Sequence, residues 1–121
     1  MRYPLEVFEA VRAELTIDKP VMVRLSATDW IDGGWDMPQS VDFCEALKNL
    51  GCDMIDVTSG GLDQRQQITT GPGYQVEMCE TIRRKVGIST LAVGQITYPI
   101  QALPFYPSDP PHAPPHDAPR A

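Results

Sequence analysis

Residues 21–26, Val21-Met22-Val23-Arg24-Leu25-Ser26, form a short apolar run rich in β-branched side chains. That composition suits a strand buried on both faces better than a half-exposed alternating one. Pro20 closes whatever precedes the run, and the polar, glycine-containing stretch Ala27 to Trp35 follows it. Two further runs of the same kind occur downstream, Met54-Ile55-Asp56-Val57 and Thr90-Leu91-Ala92-Val93. The chain therefore repeats one pattern, with a period of roughly 30 residues.

Helical periodicity fills the gaps between these runs. From about Pro4 to Leu15, the residues Leu5, Phe8, Val11, Arg12 and Leu15 share a face, and Pro4 fits the first turn. Asp36 can cap a second helix with Pro38 in its first turn. Its stripe is Val41, Cys44, Leu47 and Leu50, and Gly51 ends it. A third, from about Tyr74 to Val86, places Val76, Cys79, Ile82 and Val86 together, with Arg83, Arg84 and Lys85 opposing the helix dipole and Gly87 beyond. The order α-β-α-β-α-β forbids hairpins between consecutive strands, so the expectation is a parallel sheet with helical crossovers.

An open doubly wound sheet and a (β/α)8 barrel both satisfy that pattern. Loops after the strands, beyond Ser26 and Ser59, are long, whereas Leu50-Gly51-Cys52 leading into a strand is short. This asymmetry favours a barrel with its site at the C-terminal ends of the strands. Three strands cannot close one, because about 250 residues are typical. The fold class expected is α/β: a partial (β/α)8 TIM barrel of about three βα units over residues 1–102. Residues 103–121 hold seven of the chain's 12 prolines and are expected to be a disordered proline-rich tail.

Ten Lys and Arg against 16 Asp and Glu give the 121-residue chain a net charge of −6. Without a basic cluster, neither nucleic acid nor an anionic membrane surface is an expected partner. No apolar stretch is long enough to span a bilayer, and the first ten residues lack a basic-then-apolar signal, so a cytoplasmic location is expected. Cys44, Cys52 and Cys79 have no CxxC spacing and read as reduced, buried core residues rather than a disulfide or zinc framework.

Arg24 is the strongest chemical candidate. A permanent cation inside an apolar strand needs an anion or a ring of acceptors; the purely structural alternative is an ion pair with Asp29, Asp53 or Asp56. Gly94, ending the third strand, leaves room for a ligand to approach backbone. Gly60-Gly61 and Gly71-Pro72-Gly73 match no phosphate-loop fingerprint and read as turns. Asp29, Asp32 and Asp36 read as caps and turn formers, and Tyr74 as packing or ligand contact. His112 and His116 have metal-pair spacing, but the prolines between them preclude a helix. No catalytic residue and no metal ligand is assigned.

Residues 21–30, Val-Met-Val-Arg-Leu-Ser-Ala-Thr-Asp-Trp, with Gly33-Gly34-Trp35, resemble the old yellow enzyme family, and more narrowly its bacterial NADH:flavin oxidoreductases of the thermophilic-like ene-reductase branch. The resemblance continues through residues 51–61, Pro72-Gly73-Tyr74-Gln75 and Ala92-Val93-Gly94-Gln95-Ile96-Thr97. It implies an FMN-containing (β/α)8 barrel that takes hydride from NAD(P)H and delivers it to the activated C=C bond of an enone-type substrate. It places Arg24 at the flavin ring near N1 and O2, and Gly94 at the FMN phosphate end, with Val93 and Gln95 beside the cofactor. The family's substrate-binding histidines and its phosphate-gripping Gly-Arg pair have no counterpart in this sequence. The expectation is therefore a fragment, inactive alone, from a longer gene read short or out of frame. A different class of reading, a non-enzymatic α/β scaffold with a proline-rich interaction tail, competes with it; the oligomeric state is left open.

Overall fold

The computed structural model describes residues 1–101. The proline-rich tail, with His112 and His116, lies outside them. Six elements follow in the expected order: α1 Arg2–Glu14, β1 Met22–Ser26, α2 Met37–Asn49, β2 Met54–Thr58, α3 Val76–Val86 and β3 Ser89–Ala92. The strands form one parallel sheet in the order β1-β2-β3, so α2 and α3 each cross over between neighbouring strands.

The helix ends follow from local chemistry. Asp36 accepts from the Gln39 amide while the Gln39 side chain accepts from the Asp36 amide, a reciprocal capping box that starts α2. Gly87, in the left-handed region, ends α3 and donates to the Arg83 carbonyl. At the end of α1 the side chain of Arg12 does the work: its guanidinium donates to the carbonyls of Lys19 (2.8 Å), Thr16 (2.7 Å) and Leu15 (3.3 Å). Arg12 thus satisfies carbonyls at and beyond the helix end, a role that its place in an apolar stripe did not suggest. Asp53 ties the entry to β1, accepting from the Val21 amide at 2.7 Å.

One face of the sheet makes the core. Leu25, Ile55 and Val57 are buried with Phe43, Cys44 and Leu47 of α2 and Met78, Cys79 and Ile82 of α3. The opposite face is open. Its rows are set by register, Met22–Met54–Ser89 and Arg24–Asp56–Leu91. Met22 is 52% and Leu91 44% exposed.

This corrects the reading of β1 as buried on both faces. The strand alternates, with Met22 and Arg24 exposed and Leu25 buried. Its apolar composition does not report cover on the open side. The α1 stripe is likewise only partly inside: Phe8 is buried, but Val11 and Leu15 are 46% and 41% exposed. Val11 lies near the outer edge of the sheet, where β1 has no described neighbour on one side. An open groove runs between α1 and β1 there, lined by Pro4, Val7, Phe8, Val11 and Val23 among others.

All three cysteines are buried and free. Burial pushes the Cys44 thiol up to about 12 and raises Cys52 and Cys79 as well. Because the thiolate is the reactive form, titration of the native chain with a disulfide reagent at pH 8 should modify none of them rapidly. All three should react at once in denaturant; fast native labelling would contradict their burial.

Candidate functional site

The loops at the C-terminal ends of the strands are held to one another by polar contacts. Ala27 donates its amide to the Thr58 carbonyl (2.8 Å), Gly60 to the Thr28 carbonyl (2.9 Å), and Ser26 Oγ to the Gly60 carbonyl (2.9 Å). Within the first loop, Asp29 bonds to Trp35 twice. Its amide donates to the Trp35 carbonyl and its carboxylate accepts from the Trp35 amide, both at 2.9 Å. Trp35 Nε1 then donates to Ser40 Oγ (2.6 Å), which donates to the Ala27 carbonyl (2.7 Å). Asp29 is therefore a loop closure, as its turn-forming reading expects.

Gln75 joins the second and third strand ends. It is 2% exposed and immediately precedes α3. Its Oε1 accepts from Ser59 Oγ at 2.8 Å, and its Nε2 donates to the Val93 carbonyl at 3.0 Å. Both ends of one buried amide are thus satisfied by two different strand termini. A lone glutamine at a helix start carries no sequence signal for this, and only the topology brings the three segments together.

Gly94 packs directly on this link. Its φ is +106°, and a Cβ there would lie 2.5 Å from Gln75 Nε2 and 2.9 Å from Tyr74 Cε1. The glycine is required by the backbone and by protein packing. On the side where a Cβ would stand the space is filled by Gln75 and Tyr74, which gives Tyr74 a packing role. Gln95 follows, exposed and also left-handed at φ 54°, with its carbonyl accepting from the Gly73 amide at 3.1 Å. Val93 contributes the carbonyl held by Gln75.

Arg24 lies apart from these loops, on the open face. Its Nη1 donates to Asp56 Oδ2 at 3.1 Å across the β1–β2 register. Of the three carboxylates considered for it, Asp56 is the one it meets. The two partners differ sharply in environment, since the Arg24 side chain is 61% exposed and that of Asp56 8%. Asp56 Oδ1 is buried and has no hydrogen-bond partner among the described residues. The guanidinium thus keeps donors directed to solvent, anchored on a buried carboxylate. The pair can present a fixed, orientable cation to an electron-rich group on the open face.

No family model matches the chain. Individual proteins do. It is 43% identical over 96 residues to an NADPH dehydrogenase of Bacillus velezensis, covering 79% of this chain and 28% of the relative. It is 42% identical over 101 residues to an NADPH dehydrogenase of a Geobacillus species, covering 84% and 29%. An NADH:flavin oxidoreductase of Gibberella zeae is 34% identical over 110 residues, with 79% and 27% covered. The chain belongs to the old yellow enzyme family. Its homologues in that family are oxidoreductases, and it spans little more than a quarter of their length. Among the described residues of this old yellow enzyme segment, no helix is long and apolar enough to cross a membrane.

Proposed function

We propose that residues 1–102 are three successive βα units of an FMN-dependent NAD(P)H oxidoreductase barrel, and that their open sheet face belongs to the barrel interior. The parallel order β1-β2-β3, with helices packed on one face and exposed apolar side chains on the other, supports this reading. When bound, FMN would supply hydride relay from NAD(P)H to the activated C=C bond of an enone-type substrate. The chain's own residues would contribute binding and electrostatics. Arg24 would hold the ring edge on which negative charge accumulates, since a permanent cation there favours the anionic form. Val93, Gly94 and Gln95 would border the phosphate end, with Gln75 fixing the bend that shapes it. The whole protein would act in the cytoplasm as a soluble enzyme, and this segment alone would not complete a catalytic cycle.

The Arg24–Asp56 pair is the observation that carries the proposal. It fits a flavin because the exposed guanidinium retains donors for ring acceptors and cannot lose its charge. Titrating the purified 121-residue chain with FMN, read by flavin fluorescence, tests it. Binding is expected in the wild type. Arg24→Ala should weaken it about tenfold or more, the scale of one lost charge-assisted contact. Equal affinities for the two proteins would sink the assignment of Arg24.

A further inference from the structure

Asp56 sits in the middle strand of the sheet, with strands on both sides, and its side chain is only 8% exposed. A carboxylate there has lost its water and needs donors in return. The described structure supplies one: Oδ2 accepts from Arg24, while Oδ1 has no partner among the described residues. Arg24 is the opposite case, a long, mostly exposed side chain that would sample many rotamers if left alone. Register sets the two residues directly opposite each other. If the guanidinium left, both buried oxygens would lack a donor. If it stays, the unmet Oδ1 remains available to a second N–H of the same fork.

We propose that Asp56 is the positioning residue for Arg24, holding its guanidinium on the open face in the orientation that receives the flavin. Asp56 then affects cofactor binding only through Arg24. This assignment rests on the flavin reading above, and its test separates the two.

FMN is titrated against the wild-type chain, Asp56→Asn, Arg24→Ala and the double variant. Nitrogen-detected spectra of the Arg24 guanidinium are recorded for the wild type and Asp56→Asn. Asp56→Asn preserves size and should weaken FMN binding about tenfold in the wild-type background and not at all in the Arg24→Ala background. An equal loss in both backgrounds would show Asp56 acting independently of Arg24 and overturn the proposal. The wild-type guanidinium should give separate Nη resonances from hindered rotation, which merge in Asp56→Asn. Merged resonances in the wild type would also overturn it, whether or not the variant folds. If the wild type binds no FMN, or Arg24→Ala binds it undiminished, the flavin reading fails. The guanidinium spectra then decide the positioning role alone.

Discussion

Gly94→Ala should lower the free energy of unfolding by about 3 kcal/mol, which urea denaturation would show as a lower midpoint with an unchanged slope. Two terms make up that figure. The first is backbone strain, because φ +106° lies well outside the region an alanine tolerates, at a cost of about 1–2 kcal/mol. The second is displacement of Gln75, whose Nε2 would stand 2.5 Å from the new methyl group and cannot move without giving up the Val93 carbonyl. Losing a buried amide contact adds roughly another 1–2 kcal/mol. Gly61→Ala separates the terms. Gly61 has a similar φ of +95°, but nothing lies within 4 Å of its would-be Cβ, so it should lose only the backbone part. Equal losses for the two variants would mean that Gly94 does not pack against Gln75 as described.

Ile55→Ala should cost about 3–4 kcal/mol, within the range for truncating a fully buried aliphatic side chain. Ile55 is 0% exposed in the middle strand, between β1 and β3 and under α2 and α3. Neither neighbouring strand can collapse inward without disturbing the ladder, so the cavity remains largely unfilled. A domain of this size commonly has about 5–15 kcal/mol of stability in all, and one with an open sheet face starts near the lower end. Circular dichroism on heating should show a fall of well over 10 °C in the midpoint. A loss below about 1 kcal/mol would place Ile55 outside the core. Met22→Ala, on the open face, should be close to neutral by comparison.

How much of this was legible beforehand depends on how local the cause is. All six elements were recognisable, because capping residues, glycine stops and apolar spacing act within a few residues of one another. Their ends shifted where turns intruded: α3 begins at Val76 rather than Tyr74, since Gly73 is left-handed and Gln75 serves as its cap. The exposure of Arg24 was not legible, because an apolar strand looks the same whether or not its second face is covered. Asp56 could be named only as one of three possible partners, since register, a long-range property, selects it. Gln75 and Arg12 act across segments that the sequence keeps apart, and no periodicity marks them. The family resemblance did carry through to the relatives identified by comparison.

The water on the open face sets the strength of the Arg24–Asp56 attraction. The guanidinium is 61% exposed beside a carboxylate only 8% exposed, so solvent on the open side weakens their attraction and added salt screens part of it. Coulomb energy scales inversely with the effective dielectric constant, and moving from water to a partly dry protein environment reduces that constant about fourfold. Any molecule that settles on this side of the sheet and expels its solvent therefore strengthens the grip between β1 and β2 at the moment it arrives.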